Sequence, residues 1–193
     1  MPRPKEFDPG EAMQEAMEAF WQRGYHATSI HDLLSEMKLN RGSMYATFGD
    51  KKQLFMAALD EYERQGRAAL SEALDRPGSV KEILREWVMQ VADACSGEAG
   101  SRGCLALKAA LEVAPHDADV ADWLRHVSRR RERAVAQVIR RGQTEGDINP
   151  RLDPRAIARY LMSSLAGLRV LGTASPAHRQ MREVADLIVR ILD

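Results

Sequence analysis

Cysteine is nearly absent: Cys95 and Cys104 are the only two in 193 residues, and their spacing forms neither a CxxC pair nor a zinc knuckle. No structural disulfide is expected, and both should be thiols in a reducing compartment. The histidines His26, His31, His116, His126 and His178 make no HxxxH pair, so no metal site is expected; His116 with Asp117 and Asp119 reads as a capped loop. Net charge is also missing, with 28 basic against 28 acidic residues, and any pull on a polyanion must therefore be local. No apolar run approaches the roughly 18 residues of a membrane span, and the opening MPRPKEFDPG has no signal-peptide core. These absences lead us to expect a soluble cytoplasmic chain with no membrane association. GxSxG, P-loop, HExxH and GxGxxG patterns are absent too, so neither an enzyme nor a cofactor is expected. Finally, no segment alternates with period two, which leaves an all-α fold.

What is present is helical signal. Hydrophobic residues make up 45% of the chain, enough for a real core. Asp8-Pro9 is a cap followed by proline, opening a helix with the stripe Met13, Ala16, Met17, Phe20 and Trp21 that stops at Gly24. Ser29 and Asp32 form a capping box for a second helix carrying Ile30, Leu33, Leu34 and Met37. After a turn at Lys38 and Leu39, a short third helix runs from about Arg41 to Phe48, held by Met44 and Phe48. Gly49 and Asp50 open a long fourth helix bearing Leu54, Phe55, Ala58, Leu59 and Tyr62.

Beyond the turn at Pro77-Gly78, Ser79 and Glu82 cap a helix with Ile83, Leu84, Trp87 and Val88; the loop SGEAGSRG follows. A helix from Cys104 to Ala114 comes next, then a long one through Trp123, Val127 and Ile139. Asp153-Pro154 starts a helix with Ile157, Tyr160, Leu161, Ser164, Leu165, Leu168 and Leu171, and Ser175-Pro176 starts the last, with Met181, Val184, Ile188 and Ile191. The chain thus divides into a three-helix head, residues 1–55, and a body of roughly six helices, residues 56–193.

Two short helices joined by a tight turn, with positive charge gathered at the turn and at the next helix start, have the layout of a helix-turn-helix DNA-binding element. Between 38 and 52, Lys38, Arg41, Lys51 and Lys52 stand against the single acid Asp50. Residues 1–55 as a whole hold seven basic and eight acidic side chains, so the charge is focused on this short stretch.

The stretch GYHATSIHDLLSEMKLNRGSMYATFGDKKQLF closely resembles the N-terminal DNA-binding domain of the TetR family of bacterial transcriptional regulators. That resemblance implies a repressor released from double-stranded operator DNA by a small-molecule inducer. It also implies a ligand pocket in the body and a homodimer built from the helices near 153–172 and 176–192. Carried over position by position, Arg41 and Ser43 face base edges, Gly42 permits close backbone approach, Thr28, Tyr45, Thr47 and Lys51 hold phosphates or sugars, and Ser29 is counted with the DNA-binding residues. An arginine such as Arg41 can pair with guanine O6 and N7, worth roughly 1–3 kcal/mol of discrimination.

In the body, Trp87, Cys104, Trp123, Arg131, Tyr160 and Ser164 are the pocket candidates. Cys104 follows Arg102 and Gly103 at a helix start, where the helix dipole and a cation favour thiolate, and GCLALKAALEV resembles the segment of family members whose cysteine senses electrophiles or oxidants. The alternative function is therefore a DNA-binding regulator without an inducer, switched by oxidation or alkylation of Cys104.

Overall fold

The computed structural model describes residues 7–174 and 177–193, the side chain of Ala99 excepted. Among them there is no strand; the described residues form ten α-helices and a closing 3-10 turn. The proposed helix start at Ser175-Pro176 lies outside the described residues.

Local signals place most helix ends. The Asp8 carboxylate accepts from the Gly10 N–H at 2.7 Å, opening α1 (Pro9–Arg23). Ser29 and Asp32 complete a capping box for α2 (Ile30–Glu36). Asn40 caps α3 (Arg41–Phe48), its side-chain oxygen accepting from the Ser43 N–H at 2.8 Å. Asp50 and Gln53 cap one another's backbone N–H at the start of α4 (Lys51–Leu74). The chain continues through α5 (Val80–Ala94), α6 (Gly97–Ser101), α7 (Leu105–Glu112), α8 (Ala118–Thr144), α9 (Pro154–Gly172) and α10 (His178–Val189). The segment expected as the loop SGEAGSRG holds the five-residue α6, bracketed by Gly97 and Gly103 at positive φ.

The residues gather into two compact units: 1–66 with 105–122, and 67–104 with 123–193. Their boundaries differ from a division at residue 55, because α7 and the first turn of α8 pack with the N-terminal helices and α4 stays in the first unit as far as Gly66. In that unit Phe20 meets Phe55 edge-on at 5.0 Å between centroids, and Tyr25 lies 4.8 Å from Phe55. Met17, Leu33, Met44, Leu54 and Leu59 fill the rest of its core. Met44 is the one wholly buried side chain of α3; Arg41, Gly42, Tyr45 and Ala46 are exposed, and Ser43, Thr47 and Phe48 are half-buried.

The second unit packs α5, α8, α9 and α10 around Leu84, Val88, Val135, Ile139, Leu161, Leu165, Ala185 and Ile188. A Cβ built on Gly142 would press on Val80 and Ile148 at 2.9 Å, so glycine there lets α8 approach α5. The Asp147 carboxylate accepts from the Val80 N–H at 2.6 Å and caps α5 from 67 positions away. Not every apolar position on the last helices points inward. Tyr160, Val170 and Leu171 of α9, Val184 and Leu187 of α10, and Ile191 in the closing turn are exposed, Leu187 by 58%.

Candidate nucleic-acid interface

The turn between α2 and α3 closes with Lys38 at φ 54, a left-handed conformation uncommon for a residue with a side chain. It presents the start of α3 outward: Arg41 and Gly42 are exposed, Ser43 is half-buried, and Tyr45 is 40% exposed. The Arg41 guanidinium sits 5.8 Å from the Tyr45 ring centroid, a distance at which the ring steadies the cation without occupying its hydrogen-bond donors. A Cβ on Gly42 would meet only Asn40 Oδ1 at 3.4 Å, so nothing within the chain demands glycine there. Thr47 is half-buried on the same helix.

Lys51, at the first turn of α4, extends its ammonium over the Tyr25 ring at 4.5 Å. Desolvation pushes its pKa below the ordinary lysine value, with Asp32 opposing. The phenol of Tyr25 is pushed up, chiefly by burial. Arg41, Ser43, Tyr45 and Lys51 thus belong to one short run of surface built by α3 and the start of α4.

The surroundings bear on one expected contact, Thr28, and on one member of the positive cluster, Lys52. Thr28 is wholly buried, and its hydroxyl donates to the Gly24 carbonyl at 2.6 Å; that side chain braces the α1–α2 connection and has no hydroxyl left for a phosphate. Lys52, counted with the positive cluster, has its ammonium 2.7 Å from both Asp117 and Asp119. Those hydrogen bonds raise its pKa and hold Asp117 below the usual carboxylate value, so the charge of Lys52 is neutralised within the protein. Ser29 is exposed, but its hydroxyl donates to Asp32 Oδ2 at 2.6 Å and accepts from the Asp32 N–H, which commits it to the cap. The Asn40 cap could have been found from an Asn placed before a helical run; the partners of Lys52 lie too far along the chain.

The pocket candidates differ in their burial. Trp87 is packed in the apolar core of the second unit. Cys104 is buried immediately before α7, and Trp123, Arg131 and Ser164 are half-buried. Cys95 is also a buried free thiol, pushed up by burial. A groove of about 420 Å³ does open on the second unit between α4 and α8, lined by Arg67, Leu70, Leu74, Gln137, Val138 and Arg141 among others, and it includes none of the six candidates. No group of three His, Cys, Asp or Glu side chains among the described residues is arranged to hold a metal.

Residues 12–58 match the family described as bacterial regulatory proteins, tetR family, and residues 84–186 match the tetracyclin repressor-like C-terminal domain. The chain belongs to the TetR family. It is 32% identical over 194 residues to YezE of Bacillus subtilis, described as an uncharacterized HTH-type transcriptional regulator, with the whole of both chains covered. It is 27% identical to the HTH-type transcriptional repressor ComR of Escherichia coli, covering 98% of this chain and 90% of ComR. Among solved structures, a triple cysteine variant of the TetR family regulator CifR in complex with a 26-base-pair operator superimposes with a TM-score of 0.89 at 30% identity, covering 99% of this chain and all of that one. As a TetR family member the protein is a helix-turn-helix transcriptional regulator. No helix among its described residues is long and apolar enough to cross a membrane.

Proposed function

We propose that this regulator is a cytoplasmic homodimeric repressor that binds double-stranded operator DNA through α3 and the start of α4 and leaves it when a small molecule binds the body. The observation that carries this reading is the run of exposed Arg41, Gly42 and Tyr45 with half-buried Ser43 and Lys51 beside the buried anchor Met44. Arg41 and Ser43 would face base edges in the major groove, Gly42 would admit the DNA backbone, and Tyr45, Thr47 and Lys51 would hold phosphates. Residues 1–55 carry DNA recognition in this reading, and 56–193 carry effector binding and dimerisation.

The outward apolar residues of α9 and α10 are the proposed dimer face. Tyr160, Val170, Leu171, Val184 and Leu187 lie exposed there, and Gly167 has open space where a side chain would stand. Such a surface is costly to leave in water and suits a self-complementary contact. The α4–α8 groove offers Arg67, Arg141 and Asp75 beside Leu70, Leu74 and Val138, a lining suited to an effector with both charged and apolar parts. The effector acts only by favouring one placement of the heads over another, and α4, unbroken from Lys51 to Leu74, is the element that relays it.

Selecting bound DNA from a random pool, then screening compounds for release of the selected site, tests the reading; failure to enrich any sequence would reject it. A second route is modification of Cys104, favoured by its place directly before α7. An electrophile that releases DNA from wild type and from Cys104→Ser alike would end that alternative.

A further inference from the structure

The segment from Lys108 to Asp119 grips the helix-turn-helix by polar contacts, each matched to the polarity of what it touches. The Lys108 ammonium donates to the carbonyls of Trp21 at 2.7 Å and Gln22 at 2.9 Å. These lie in the last turn of α1, where carbonyls lack helical partners and the helix dipole is negative. One turn further along α7, the Glu112 carboxylate accepts from the Tyr25 N–H at 3.0 Å and the His26 N–H at 3.5 Å, while the Glu112 carbonyl lies 3.1 Å from His26 Nε2. The approach is close enough that a Cβ on Gly24, itself at φ +84, would collide with that carboxylate.

Lys108 and Glu112 stand at i and i+4, the spacing of a helix-surface ion pair. Here they reach past one another, the cation to carbonyls and the anion to N–H groups at the chain reversal after α1. Beyond α7, Asp117 and Asp119 hold Lys52. The first turn of α4 is therefore fixed by this segment at Lys52 and, through Tyr25, at Lys51. Tyr25 is the link: its N–H is taken by Glu112 and its ring lies 4.5 Å beneath the Lys51 ammonium.

We infer that Glu112 and Lys108 are positioning residues for DNA binding: α7 sets the backbone at Tyr25, the Tyr25 ring sets Lys51, and Lys51 meets the phosphate. This inference rests on the reading of Lys51 as a phosphate contact. It gives α7 a part beside α4, since α7 begins immediately after Cys104 and ends on the residue that holds Tyr25. A shift along α7 would loosen DNA without any change in a residue that touches it.

The test is a double-mutant cycle on the full-length protein, using DNA selected by wild type and binding isotherms at two salt concentrations. Glu112→Ala should weaken binding about tenfold, within the range for residues of one network, and lower the salt slope, because a displaced Lys51 no longer releases its counterion. Glu112→Gln should recover most of the loss, its amide oxygen still accepting from Tyr25. Adding Glu112→Ala to Lys51→Ala should cost little more than Lys51→Ala alone. Should Glu112→Ala not fold, Lys108→Met is read in the same cycle. Wild-type affinity in Glu112→Ala, or losses that multiply in the double variant, would overturn the inference while leaving the Lys51 assignment standing. Wild-type affinity and salt slope in Lys51→Ala would overturn the phosphate assignment and the inference together.

Discussion

The two compact units carry opposite charge. The unit containing the helix-turn-helix has fifteen acidic against nine basic residues, whereas the other has nineteen basic against thirteen acidic. A DNA-binding unit with a negative balance cannot draw its target by its overall field, so each cation on the α3–α4 surface counts separately. The basic unit holds its charge differently. One arginine of α8 is answered nearby, since Glu145 stands 3.8 Å from Arg141, while Glu132 of α8 pairs with Arg159 of α9 at 3.1 Å. Placement, and not the sum of charges, distinguishes the unit proposed to bind DNA.

If each head carries so few unneutralised cations, one head alone should bind poorly. Leu187→Glu, which puts a charge on the proposed dimer face, should cost about a hundredfold or more in operator affinity by removing the second head. Sedimentation together with a mobility shift checks this; a monomer that binds at full strength would break the contrast. Next in size, Arg41→Ala should lose about 10- to 100-fold on the selected site and far less on shuffled DNA, as loss of a base contact does.

Smaller effects separate bracing from contact. Thr28→Val should lower stability by about 1 kcal/mol, the net worth of a buried hydrogen bond, while DNA affinity measured well below the melting temperature stays at the wild-type value. Acid should act through the Lys52 cluster in a definite direction. Asp117 is held below its usual pKa first by its hydrogen bond to Lys52. Its contribution to stability is thus complete above the ordinary Asp value of about 3.9 and fades as pH falls through the lower folded value. Acid titrations of wild type and Asp117→Asn should converge below that range and separate above it.

What could be read from the sequence was local. Asp8-Pro9, the Ser29–Asp32 box and the Asp153-Pro154 start act within one helical turn, and the structure places helix ends at all three. The positions of Arg41 and Lys51 followed from the same short stretch. The fates of Lys52 and Thr28 did not. Asp119 is 67 positions from Lys52 and Glu112 is 87 from Tyr25, so no window of sequence brings those pairs together. Thr28 is polar and stands next to a cap, which in sequence is indistinguishable from a phosphate contact until its burial is known. On α9 and α10 the apolar period marked helices correctly, but period cannot divide residues that fill a core from residues such as Leu171 and Val184 that face outward. In α6 the five residues are too few for any period to register.

The most direct measurement compares Lys51 with Lys52, adjacent cations of the same formal charge. Operator affinity is measured across a series of salt concentrations for wild type, Lys51→Ala and Lys52→Ala. Removing a residue that releases a phosphate counterion lowers the logarithmic salt slope by about one per head, so by about two for a homodimer with both heads on the operator. Lys51→Ala should show that decrease, and Lys52→Ala should keep the wild-type slope because Asp117 and Asp119 already neutralise its charge. Equal decreases for both variants, or a decrease for Lys52→Ala alone, would contradict the account of a few placed cations in an acidic unit.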